Sequence, residues 1–231
     1  PTRAFADQLV DAYFERVHIL YPFLHETTFR ADYELMWSPE TSHALKSDTA
    51  KSAILNIVFG YGCEFSHALP EHDIFDKASP FVSRARNIIF SHVFKNTDLA
   101  LVQAMLLLSH YLQGILELNE CWNLVGLMIR SAISIGLHQN PSEDKSLTPV
   151  EKEIRKRVWW GCFILNRTLS MKFGRPPSIM VDDALNVDLP FDVDDQYITE
   201  PSAIPRQPSS RPSRTTFFTQ TVSQQRKEPH Q

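Results

Sequence analysis

From Leu99 to Leu116 the chain runs for 18 residues without a formal charge. No other stretch constrains the fold as much, because so much apolar surface has to be covered by something. The length reaches that of a short membrane span. However, Gln103, Ser109, His110 and Gln113 recur through it, and side chains of that polarity are costly in hydrocarbon. The pattern therefore predicts a helix that is apolar on most faces and buried at the centre of a bundle. Thr97-Asp98 stands where a helix start belongs. Cys121–Leu137 reads as a second such helix, ending near Gly136. The connector between them is short, so the two are expected to pack antiparallel.

The remaining apolar residues follow the same period. Phe5, Leu9, Ala12/Tyr13, Arg16/Val17 and Leu20 keep helical spacing until Pro22, and a short helix is expected after Thr27 or Thr28. Ala50–Phe65 forms another. Pro80–Phe94 repeats Phe81, Ala85, Ile88/Ile89 and Val93, with Pro80 placed in a first turn, where its missing N–H is harmless. Thr148-Pro149-Val150-Glu151 spells a capping box with proline at the first helical position. The helix it opens is expected to reach Phe173, with Val150, Ile154, Val158, Cys162, Leu165 and Leu169 on one face and Gly174 as its stop. No alternating strand pattern occurs. Only 7 glycines stand against 15 prolines, which leaves few tight glycine turns for a sheet. The expected fold class is all-α, a multi-helix bundle.

Residues 1–199 are expected to form this domain and 200–231 a disordered tail. The tail carries five basic and two acidic side chains, hence +3, leaving −7 of the total −4 to the domain. Its five prolines and fourteen Ser, Thr or Gln residues accompany few apolar ones, too few to offset the entropy of ordering.

GxGxxG, GxxxxGK[ST], GxSxG and HExxH do not occur, and Gly60-Tyr61-Gly62 lacks a third glycine. Net charge −4 provides no basic field for nucleic acid or anionic membrane. Cys63, Cys121 and Cys162 form neither a CxxC pair nor a disulfide framework, which suits a reducing compartment, and the first thirty residues lack a secretory pattern. Cys63, His67 and His72 fall short of the four ligands of a structural zinc site. Asp182, Asp183 and Asn186 spell the DDxxN by which helical isoprenoid synthases hold Mg²⁺, but here it follows Pro176-Pro177 in an acidic connector. A remote alternative is therefore a magnesium-dependent enzyme of that type. Lys152, Arg155, Lys156 and Arg157 beside Trp159 and Trp160 are read as a charged outer face next to core tryptophans. Asn166-Arg167-Thr168 is a glycosylation sequon inside a helix and is discounted. No catalytic, cofactor-binding or metal residue is assigned.

Several longer motifs occur in a fixed order: LVDAYFERVHILYPFLHETTFRADY (9–33), RSAISIGLHQNP (130–141), EIRKRVWWGCFILNRTLSMKFGRPPSI (153–179) and NVDLP (186–190). Residues 8–198 thereby resemble the middle homology region of fungal zinc-cluster transcription factors, the fungal-specific transcription factor domain. The resemblance implies an all-α, non-catalytic regulatory domain in a nuclear protein. It implies protein partners or self-association, with a small-molecule inducer as a further partner and no membrane. The motif residues it singles out are Arg157, Trp159, Trp160, Arg167, Gly174, Arg175 and Pro176. Arg175 is expected to bond carbonyls or a carboxylate such as Asp182 or Asp183. In the family, zinc sits in a six-cysteine DNA-binding cluster. Three scattered cysteines cannot build it, so no cofactor is expected in this chain, and DNA only through a cluster it lacks. The family's helices usually continue beyond the NVDLP-type connector, so the domain is expected to be incomplete on its C-terminal side. The alternative function is a stand-alone helical inhibitor that binds a partner or a small molecule without binding DNA.

Overall fold

The computed structural model describes residues 1–38, 49–66, 70–95, 97–179, 186–198 and 205–227. These hold eight α-helices and no strand: α1 (Arg3–Arg16), α2 (Glu26–Met36), α3 (Thr49–Phe65), α4 (Glu71–His92), α5 (Leu99–Gly114), α6 (Leu118–Ser134), α7 (Pro149–Phe173) and α8 (Thr216–Lys227). Two 3₁₀ turns, Pro141–Glu143 and Asp195–Tyr197, interrupt the irregular segments.

The uncharged helix α5 is central, packing against α3, α4, α6 and α7. Asp98 caps it by accepting from the Leu101 amide at 2.8 Å. Leu101, Val102 and every residue from Ala104 to Ser109 are buried. Ser109, the polar break in that run, donates back to the Met105 carbonyl within its own turn, so the helix enters the core with that hydroxyl satisfied. A three-residue link then folds α6 back along α5. Among the described residues no helix is long and apolar enough to cross a membrane.

The glycine pair of α3 has a packing role. Here α1 crosses α3 so closely that a Cβ on Gly62 would lie 2.7 Å from the Leu9 Cα. The obstacle is backbone and cannot rotate away.

The structure corrects the expected start of the fourth helix. Pro80 lies inside α4, which begins nine residues earlier at Glu71. The proline removes one N–H from the ladder. The helix passes through it because Ala78, Val82, Ala85 and Ile89 line a single buried stripe, spanning the proline. Helix α2 begins at Glu26, slightly ahead of expectation, because His25 caps it by accepting from the Thr28 amide.

Over residues 205–227 the structure also differs from the expected disordered tail. Helix α8 rests on α7, with Phe218 and Val222 buried and Phe218 set edge-on to Phe23 at 5.7 Å. Composition missed this because two side chains one turn apart suffice when a cavity awaits them and hydrogen bonds hold the approach. Arg214 donates to the Phe14 carbonyl (2.6 Å) and to Glu26 (3.2 Å), and its amide and the Ser213 hydroxyl reach Asp194.

Gly62→Ala tests the α1–α3 crossing. Helix propensity alone would favour alanine by about 1 kcal/mol. Overpacking against backbone costs typically about 1–3 kcal/mol and is expected to win here. Urea unfolding should therefore show a less stable variant; equal or greater stability would mean that the two helices are further apart.

Candidate functional site

Helix α7 carries most of the motif. Its capping box forms: the Glu151 amide donates to Thr148 Oγ1 (3.2 Å) and the Thr148 amide to Glu151 (2.8 Å), holding the Glu151 carboxyl below its usual range. The helix ends where Gly174 adopts φ 61°, the left-handed C-cap, and both the Gly174 and Arg175 amides return to the Ser170 carbonyl.

Between these ends the helix turns its charges inward. Arg157 is fully buried, and its guanidinium donates to Glu153 (3.0 Å), to Asp195 (2.6 Å) and to the Val193 carbonyl (3.4 Å). Glu153 also pairs with Lys156 at 2.8 Å and accepts from the Phe191 amide at 3.0 Å. Lys156 donates to the Leu189 carbonyl and lies over the Phe191 ring at 3.8 Å. Asp195 accepts from the Glu26 amide at 2.7 Å, and its carboxyl stands 3.6 Å from His18. Its own carbonyl accepts from His25 Nε2. His25 Nδ1 is the acceptor at the N-cap of α2, so the other nitrogen carries the proton. Burial alone would raise the Asp195 carboxyl. Arg157, then His18 and the Glu26 amide, outweigh it and hold the group far below the usual carboxylate range.

The outer-face reading of the basic residues is thereby corrected. Lys156 and Arg157 are buried, while Lys152 and Arg155 donate to the Ser142 and Ile135 carbonyls. The reason is partners: Glu153 inside the helix and Asp195 beyond it make burial of two cations affordable. Trp159 and Trp160 are core residues, and the Trp160 indole donates to the Asp188 carbonyl at 3.0 Å. Asn166 of the sequon is buried and accepts from the Ser178 and Ile179 amides. Arg167 lies over Phe163 at 5.6 Å.

Arg175 sits against aromatic rings. Its guanidinium lies 4.9 Å from the Trp122 ring and 4.8 Å from Phe173, a cation–π clamp between α6 and the end of α7. Pro176 follows it, exposed in irregular chain. Asp182, Asp183 and His67 lie outside the described residues. Asn186 is exposed in a turn, and among the described residues no group of three His, Cys, Asp or Glu could hold a metal.

The cysteines do not fit a zinc cluster. Cys63, Cys121 and Cys162 are buried in α3, α6 and α7, and burial pushes the first two thiols up to about 11 and the third higher still. A zinc ligand is a thiolate, which these surroundings disfavour.

A family model described as the fungal specific transcription factor domain matches residues 10–227. The chain belongs to this family. The match runs past Ile198, where the resemblance was expected to end, and takes in α8. An ABC-transporter-regulating transcription factor of Aspergillus oryzae is 33% identical over 82% of this chain and 21% of its own length. Transcription factor FBD3 of Gibberella moniliformis is 31% identical over 75% of this chain and 23% of its own. Activator of stress genes 1 of Saccharomyces cerevisiae is 27% identical over 89% and 22%. The chain thus spans between a fifth and a quarter of these relatives. No solved structure matches it.

Sequence reasoning named Arg157 and missed its partner Asp195, together with His18 and the Glu26 amide that hold Asp195 in turn. Glu153 was visible as the i−4 neighbour of Arg157. Asp195 was one of six aspartates in an acidic connector and carried no signal of its own.

The fungal transcription factor domain is expected to depend on this cluster in a non-additive way. Arg157→Met strands two buried carboxylates and should cost about 3–5 kcal/mol. Adding Asp195→Asn removes one of those charges and leaves Glu153 to Lys156, so the double variant should be more stable than Arg157→Met alone. Urea titration of the two decides it; a double variant less stable than Arg157→Met would show that the charges do not act together.

Proposed function

We infer that this chain is the non-catalytic regulatory domain of a fungal transcription regulator, working in the nucleus through protein contacts, with DNA contacted elsewhere in the parent protein. The observation that carries the reading is the use made of the motif. Arg157 and Lys156 are buried on carboxylates and carbonyls, the tryptophans are core, Gly174 ends a helix, and Arg175 clamps rings. A catalytic motif would instead aim an acid, base or nucleophile into a cleft. Here the motif binds three distant segments of one chain into a unit: the loop before α2, helix α7, and the connector after it. That is what a domain that transmits a state needs, because a change at one segment is felt at the others.

The relatives support the reading by what their names say they do: regulate transporter genes, or activate stress genes. It requires no metal and no cofactor within these residues.

The test is a reporter assay in a fungal host. The full chain is inserted between a heterologous DNA-binding module and an activation segment. Reporter output is expected to change at least several-fold against the same fusion lacking the chain, at equal protein level and nuclear location. Unchanged output from a folded, nuclear fusion would contradict the regulatory reading.

A further inference from the structure

Away from the charge cluster, a cavity of about 480 Å³ lies between α5, α7, α8 and the Leu20–Phe23 segment. We propose that it is a binding site for a planar aromatic molecule carrying one carboxylate.

Three features carry the proposal. The first is His110 of α5. Both of its ring nitrogens are enclosed and neither has a hydrogen-bond partner. A buried donor or acceptor left so is rare in folded proteins and calls for an explanation. Its ring lies tilted against Tyr21 at 4.1 Å and stacked on Phe23 at 5.6 Å, so the imidazole is held by its faces while its nitrogens lack a partner. Burial pushes its pKa down to about 3, so near neutral pH it offers one N–H and one lone pair rather than a charge.

The second is the wall chemistry. Tyr21 and Phe23 line one side, and Phe217 and Phe218 of α8 another. Flat rings favour a flat guest, by offset or edge-to-face contact. Phe217 is 60% exposed although it borders the cavity, so it retains apolar surface that a guest would cover.

The third is charge. Lys172 of α7 stands exposed at the rim, and among the described residues it forms no ion pair and no acidic side chain lines the cavity. A cation at the mouth with no opposing carboxylate selects an anion. Gln113 and Thr168 add neutral polar groups. The volume is within the range of small-molecule sites.

The occupant would touch α8, the helix least embedded in the bundle, and so stabilise its seating on α7. The proposal deepens the regulatory reading, since it names the class of molecule to which such a domain would respond, and it rests on that reading only for its biological meaning.

The experiment is calorimetric titration of the full chain with 2-naphthoate at neutral pH. Saturable one-to-one binding is expected, weakened at least about tenfold by His110→Phe, which keeps the stacking and removes the polar edge. Lys172→Gln, an exposed change that leaves the fold intact, is expected to weaken it several-fold. Cyclohexanecarboxylate, with the charge but no flat ring, should bind at least about tenfold more weakly. Absence of saturable binding up to about 5 mM, or binding that neither substitution alters, would overturn the proposal and leave the cavity to water. Binding without any effect of the ligand on the reporter would keep the site and remove its regulatory meaning. A reporter effect of the chain with no binding would do the reverse.

Discussion

The architecture depends on one buried cation. Arg157 has no exposed surface and cannot lose its proton, so it has to be neutralised where it stands. Two carboxylates do this, one a turn earlier on the same helix and one thirty-eight residues later. Taking these charges out of water is costly, and the cost is recovered only when the geometry is complete. Each carboxylate is therefore committed twice over: Glu153 to Lys156 and the Phe191 amide, Asp195 to the Glu26 amide and His18. A set of groups that are stable only together makes their segments cooperative. The arrangement explains why residues 186–198, poor in regular structure, are nonetheless fixed.

The C-terminal segment is attached by a second, more superficial set. Asp194, next to Asp195, accepts from Ser213, the Arg214 amide and Gln207, and Arg214 reaches back to α1 and Glu26. Adjacent aspartates thus face opposite ways along the chain, one toward the core of the bundle and one toward α8. Glu26 belongs to both sets, by its amide to one and by its side chain to the other. A shift in the seating of α8 therefore has a short path to the buried cluster, through residues in direct contact.

Much of this was legible in the sequence. The uncharged run of α5, the capping box at Thr148 and the glycine stop at Gly174 are local signals, and each element formed where local chemistry placed it. Pro80 was misplaced because local chemistry disfavours proline inside a helix while the buried stripe of α4, set by tertiary packing, continues through it. The tail was underestimated because composition averages over a segment, whereas Phe218 and Val222 act as individual anchors. The site was legible only in part. Arg157 stood out within its motif, but a basic residue among Lys152, Arg155 and Lys156 reads as solvated surface until its partner is known. That partner is thirty-eight residues away, and nothing in FDVDD (191–195) distinguishes the aspartate that turns inward. His110 was noticed only as a polar break in an apolar helix; its unpartnered nitrogens are a property of the assembled bundle.

The central claim is that the buried cluster makes the loop before α2 and the connector after α7 part of one cooperative unit with the core. Native-state hydrogen exchange of the Glu26 and Phe191 amides, which donate to Asp195 and Glu153, tests it most directly. The account predicts that both exchange only through global unfolding, with the same free energy and urea dependence as the amides of Leu106 and Leu107 in the middle of α5. Exchange of either amide through a local, urea-insensitive opening while α5 stays protected would contradict it.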